Sequence, residues 1–115
     1  MNFLIKLLVT AVLVLVLSYI MPGVETTGLF SAVLVALALS ILNFIVKPIL
    51  VILTLPITVI TLGIFLLFIN AFIIMMADWL VGGFDVANVW YALIFALLLA
   101  IARSILFKML DKEED

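Results

Sequence analysis

The sequence lacks cysteine and histidine altogether, and only 10% of its 115 residues are charged. Without cysteine there are no disulfides, thiol nucleophiles or thiolate metal sites. Without histidine there are no Ser/His or Cys/His catalytic pairs and no imidazole metal ligands. The few basic residues form no patch of the kind that holds nucleic acid. We therefore expect a protein that is not an enzyme, with no cofactor, no metal site and no nucleic-acid partner.

Apolar residues dominate instead and make up 70% of the chain. A soluble domain of this length needs more polar side chains to cover its surface, so the expected surrounding is the lipid bilayer. A spanning helix needs about 20 mainly apolar residues. Four stretches meet that condition, at residues 3–21, at 29–46, within 57–80 and at 89–107. The sequence therefore predicts four membrane spans.

Proline and glycine mark the ends of these spans. Proline cannot continue the helical hydrogen-bond ladder, and it disfavours helical backbone at the residue before it. We expect the first span to end at Pro22 and the second at Lys47-Pro48, with residues 81–88 as the turn before the fourth. A cleavable signal peptide over residues 3–21 is the alternative, which the long apolar stretch and the lack of a small-residue cleavage site disfavour.

The basic residues predict the orientation. If the chain crosses the membrane four times, all the basic residues lie at or near one face, namely Lys6, Lys47, Arg103, Lys108 and Lys112. The other face receives Glu25, Asp78 and Asp85 and no base. Because cytoplasmic flanks of membrane spans are enriched in Lys and Arg, we expect both termini in the cytoplasm.

An internal repeat is visible when the chain is compared with itself at an offset of 60 residues. In addition to apolar residues, residues of rarer types correspond at this offset: Gly23 with Gly83, Glu25 with Asp85, Thr10 with Asn70, and Asn43 with Arg103. This pattern predicts an all-α, integral membrane four-helix bundle built from two tandem helical hairpins, related as a parallel repeat about an axis along the membrane normal. Chance matching of apolar residues is the alternative.

The repeat units, residues 3–50 and 63–110, leave an apolar linker at residues 51–62 and an acidic tail at 111–115. Pro48, Pro56 and Gly63 interrupt the linker region and are expected to break its helices. Irregular backbone is not tolerated against lipid, so the linker is predicted to extend a helix, to lie in the interface, or to be covered by other helices.

Small residues recur at a spacing of four in two of the spans. They are Ala32, Ala36 and Ser40 in the second and Ala92, Ala96 and Ala100 in the fourth. Such seams let helix backbones approach closely in lipid. We expect them to serve packing within the fold, with contacts between protomers of a homo-oligomer as the alternative.

Four polar residues lie inside the spans, where such groups suggest function: Thr10, Asn43, Asn70 and Arg103. A seven-residue offset is about 20° of helical rotation, so Asn43 shares a face with Ala36, and Arg103 with Ala96. We predict a polar cluster in the cytoplasmic half that lines a vestibule or binds an anionic lipid. The competing interpretation is that Arg103 reaches to the surface while the Asn side chains tie helices together.

The run NFIVKPILVILTLPITVITLGIFLLFINA at residues 43–71, followed by GGFDV at 82–86, resembles the four-span phage-holin-like family of the YvlD type in holin superfamily IV. The resemblance implies a bacterial inner-membrane protein and, by association alone, lytic activity. The family pattern is strongest at Asn43, Pro48, Pro56, Thr61, Gly63, Asn70 and Gly83.

The leading functional hypothesis is a small, self-associating, holin-like membrane protein that permeabilises the bilayer. A transporter or lipid-handling protein with a cytoplasm-facing polar site is the second hypothesis. An accessory or envelope-stress membrane protein is the third.

Overall fold

Apolar runs form the helices of this protein. The computed structural model describes residues 2–114, with side chains to residue 111. The elements in chain order are α1 (Phe3–Ile20), β1 (Val24–Thr26), α2 (Leu29–Leu53), α3 (Leu55–Ile60), α4 (Phe65–Leu80), β2 (Phe84–Val86) and α5 (Val89–Glu114). Side-chain oxygens of Asn2 and Asn88 accept hydrogen bonds from backbone N–H groups in the first turns of α1 and α5. Both helices therefore begin at an asparagine cap.

The four long helices form a ring in which each packs against two neighbours: α1 on α2, α2 on α4, α4 on α5, and α5 on α1. The predicted alanine seams lie inside this ring, since Ala32, Ala36 and Ala92 are fully buried and Ala96 nearly so. Ser40 is half-buried, and Ala100 is exposed, so the predicted seam does not extend to Ala100. The buried alanines therefore contribute to packing between the helices of one bundle.

Among the described residues, three helices are long and apolar enough to cross a membrane: α1, α2 and α5. The fourth, α4, is apolar but has only 16 residues, or about 24 Å of helix. The third predicted span, within 57–80, is therefore shorter than a usual span. The fourth extends beyond its predicted end at residue 107 into the acidic tail, of which Asp115 lies outside the described residues.

Two short strands close one end of the bundle and were not predicted, so the all-α class is incomplete. β1 and β2 pair antiparallel, with Val24 opposite Val86, Glu25 opposite Asp85, and Thr26 opposite Phe84. The flanking backbone bonds recur at an offset of 60: Thr27 N donates to Gly83 O at 2.9 Å, and Ala87 N donates to Gly23 O at 2.8 Å. Because each strand follows α1 or α4, the C-terminal ends of those two helices lie at the same end of the bundle.

The prediction that α2 ends at Lys47-Pro48 was wrong. Pro48 lies inside α2, which continues to Leu53. Proline removes one hydrogen-bond donor from the helix, and here the helix continues through that loss. The break comes instead at Thr54, whose hydroxyl donates to the Leu50 carbonyl oxygen at 2.6 Å.

The apolar linker at residues 51–62 is mostly helical. It contains the end of α2 and the short helix α3, in which Pro56 lies in the first turn, a position that proline tolerates. No residue of α3 is buried. The helix ends in a Schellman motif, because Gly63 N donates to Thr58 O at 2.9 Å and Leu62 N to Val59 O at 3.1 Å. Gly63 thus lies at a true break before α4, with φ of 89°.

Candidate functional site

Each of the four long helices contributes one of the four predicted polar residues to the end of the bundle opposite the strands. Asn43 of α2, Asn70 of α4 and Arg103 of α5 together line an inner cavity of about 80 Å³. Its remaining lining is Lys47 with apolar residues that include Leu39, Ile73, Ile74, Ala96, Leu99 and Ala100. Three of the four predicted polar residues therefore share one small cavity.

A second, outer cavity of about 520 Å³ adjoins the first, since Asn43 and Arg103 line both. Thr10, the fourth predicted residue, lines this one, together with Lys6 and Ser40. Its other walls are the apolar side chains of Phe3, Ile41, Phe44 and Ile45, all of which are also exposed on the outside of the bundle. The outer cavity therefore opens among apolar side chains on the outer surface of the bundle.

Arg103 is the central cation of the site. Its Nε is buried and has no hydrogen-bond partner among the described residues. The guanidinium carbon lies 5.4 Å from the ring centroid of Phe107, and Lys6 Nζ lies 5.8 Å from the same centroid. Two cations thus approach one aromatic ring, within the range of a cation–π contact.

The hydroxyls at the site are committed to their own helices. Thr10 is 3% exposed, and its Oγ1 donates to the Lys6 carbonyl oxygen at 2.8 Å. Ser40 Oγ donates to the Ala36 carbonyl oxygen at 2.9 Å. Each hydroxyl has already used its one proton, so only its oxygen lone pairs remain for another group.

Among the described residues, the lining of the two cavities includes cations and no carboxylate, and Asp111 follows Arg103 by eight residues on the same helix. Glu25, Asp78 and Asp85 all lie toward the strand end, where Asp78 Oδ2 accepts a hydrogen bond from Val86 N at 3.1 Å. Arg103 is fourteen residues along α5 from Val89, or about 21 Å of helix from that end. Within the described part of the chain, no group of three potential metal ligands occurs. Cations without a neighbouring carboxylate in the lining are suited to bind an anion.

Among the residues at the site that were not predicted as part of it are Lys6, Lys47 and Phe107. Each lies four residues from a predicted one, since Lys6 precedes Thr10, Lys47 follows Asn43, and Phe107 follows Arg103. Residues four apart are neighbours on a helix surface, so this spacing was the available signal. Pro48, Pro56 and Gly63 line neither cavity.

Comparison with known proteins gives one family and two relatives. The family model described as mycobacterial 4 TMS phage holin, superfamily IV, matches residues 1–105. The uncharacterized membrane protein YvlD of Bacillus subtilis is 37% identical over 98 residues, which are 80% of this chain and 82% of that protein. The uncharacterized protein SCO3922 of Streptomyces coelicolor is 30% identical over 110 residues, 87% of this chain and 88% of that protein. No solved structure matches.

Proposed function

This chain belongs to the mycobacterial 4 TMS phage holin family of superfamily IV, and we propose on that premise that it self-associates and permeabilises the bacterial cytoplasmic membrane without catalysing a reaction. It is a small multi-pass bacterial membrane protein. Family membership carries the proposal, and the long apolar helices support it.

Self-association would use the outer faces of the helices. The seam alanines other than Ala100 are buried within one bundle, so they are not free for contacts between protomers. The outside carries large apolar side chains instead, such as Phe44 at 82% exposure and Phe72 at 53%. Association in lipid through such side chains rests on van der Waals packing.

The proposal includes a topology in which α1, α2, α4 and α5 each cross the bilayer and both termini are cytoplasmic. The pairing of β1 with β2 supports the crossing by α4, because it brings the ends of α1 and α4 to the same level. The cations of the site lie at the opposite end of the bundle and support the orientation, since basic residues are enriched on cytoplasmic flanks.

We also propose that the two hairpins arose by duplication. The strands recur at an offset of 60, as do the backbone bonds that flank them. Thr10 corresponds to Asn70 at that offset, and Asn43 corresponds to Arg103. The four polar residues then form two equivalent pairs, one residue on each long helix.

Induced expression in a bacterium, with and without a co-expressed endolysin, tests the proposed permeabilisation. We expect collapse of the membrane potential after induction and lysis when the endolysin is present. Unchanged potential and viability under both conditions would rule the proposal out. The matched control is the same chain truncated after residue 53, which lacks the second hairpin.

A second candidate function, transport or lipid handling, is favoured by the two cavities that meet at Asn43 and Arg103. Replacing Arg103 with Leu should then abolish transport while the helical content measured by circular dichroism stays unchanged. A variant with wild-type transport would assign Arg103 to anchoring at the membrane surface alone.

A further inference from the structure

The walls of the two cavities differ in chemistry. The inner cavity is lined by Lys47, Arg103 and the amides of Asn43 and Asn70. The lining of the outer cavity includes Lys6 and Arg103 together with the apolar side chains of Phe3, Ile41, Phe44 and Ile45. A ligand that fills both therefore needs an anionic group joined to an apolar body.

The donors suit a phosphate. An arginine guanidinium is planar and presents several N–H groups to oxygen anions, while each asparagine amide adds two donors. Arg103 Nε has no hydrogen-bond partner among the described residues, although a buried donor left unpaired is costly. No described residue that lines either cavity is acidic, and the acidic residue nearest to Arg103 in sequence is Asp111, eight residues further along α5. The cavity linings therefore contain no carboxylate to compete with a bound anion.

The apolar wall points to the membrane as the source of that phosphate. Phe3, Ile41 and Ile45 line the outer cavity and are each more than half exposed on the outer surface of the bundle. A lipid acyl chain can lie along these side chains without leaving the bilayer. Lys6, near the start of α1, lies close to where the headgroups of the cytoplasmic leaflet are expected. Free inorganic phosphate would use the cations but not this wall.

We propose that this site binds one anionic phospholipid of the cytoplasmic leaflet, with its phosphate held by Arg103, Lys6 and Asn43 and an acyl chain against Phe3, Ile41 and Ile45. Basic pockets between membrane helices on the cytoplasmic side are suited to such headgroups. This inference rests on the bilayer topology proposed above. It does not require the protein to form lesions.

The test uses the purified full-length chain in nanodiscs of equal parts phosphatidylglycerol and phosphatidylcholine, with retained lipid counted by native mass spectrometry. The wild type should retain one phosphatidylglycerol in clear preference to phosphatidylcholine. Arg103→Gln should lower the apparent affinity for phosphatidylglycerol by about tenfold, because a charge-assisted contact is lost. Lys6→Gln, at an exposed position where folding is not at risk, should lower it severalfold.

Lys108→Gln is the matched control, because it removes an exposed cation from the same helix end but lines neither cavity. It should retain wild-type selectivity. Equal losses in Lys108→Gln and Lys6→Gln would overturn the site and leave only general attraction to an anionic surface. Displacement of the lipid by millimolar inorganic phosphate would overturn the lipid assignment in favour of a free-anion site.

Dye leakage measured on vesicles of the same composition separates this inference from the proposed permeabilisation. Selective retention without leakage supports the lipid site and contradicts permeabilisation. Leakage without selective retention overturns the lipid site and supports permeabilisation.

Discussion

Glu25 and Asp85 lie directly opposite each other at the centre of the two-stranded sheet. Both side chains are exposed. Equivalent backbone bonds on either side, from Thr27 to Gly83 and from Ala87 to Gly23, make this pair the midpoint of the contact between the hairpins. The contact therefore brings two negative charges together, although like charges directly opposite each other destabilise antiparallel strands.

Neutralising one member of this pair should stabilise the protein. We expect Glu25→Gln to raise the free energy of unfolding by less than about 1 kcal/mol, measured by denaturation in detergent at low salt. High salt should remove the gain, since it screens exposed charges. Asp78→Ala serves as the control, because it also removes a carboxylate but loses the hydrogen bond from Val86 N, and so should destabilise. Equal gains from both variants would point to net charge, not to the pair.

Gly83 should not tolerate a larger residue. A Cβ at this position would collide with the side chains of Ser31 and Thr27, whose hydroxyls are hydrogen-bonded to each other at 2.6 Å. We expect Gly83→Ala to lower the free energy of unfolding by about 1–3 kcal/mol, as overpacking does elsewhere. Gly82→Ala is the neighbouring control, since open space surrounds its added Cβ, and thermal denaturation should show it close to wild type. A Gly83→Ala variant as stable as Gly82→Ala would contradict this packing.

Helical periodicity explains which features the sequence predicted. The face shared by Asn43 and Ala36, and by Arg103 and Ala96, follows from residue spacing alone. Once the helices are paired correctly, Asn43, Asn70 and Arg103 lie around one cavity. Whether these residues bind a ligand stays a prediction.

Features that depend on contacts between distant segments could not be predicted in this way. The strands Val24–Thr26 and Phe84–Val86 have three residues each, too few for a periodic signal, and they pair only because the two hairpin ends meet. The end of α2 was wrongly predicted at Pro48 for a different reason. A proline removes one hydrogen bond from a helix, and the residues around it in α2 remain helical despite that loss.

Replacing Leu62 with glycine should stabilise the protein. It has φ of 57°, in the left-handed region, and its side chain is 92% exposed. A residue with a Cβ loses about 1–2 kcal/mol there, and glycine does not, so Leu62→Gly should raise the thermal midpoint. Leu62→Ala is the matched control, because it removes the same exposed side chain but keeps the Cβ. Equal shifts of the thermal midpoint in both variants would contradict a backbone cost at this position.

Single cysteines introduced at the two ends of the bundle should react from opposite sides of the membrane. The sequence contains no cysteine, so each label reports one position. In spheroplasts with an intact membrane potential, a membrane-impermeant maleimide should label Glu25→Cys at once, and Leu62→Cys only after permeabilisation, because the basic residues set the cytoplasmic side. Expression is kept low, since a lesion would admit the reagent.

Labelling of both positions from outside would mean that α2, which lies between them, does not cross the bilayer. The reverse pattern would invert the orientation and move the cationic cavities to the outer leaflet.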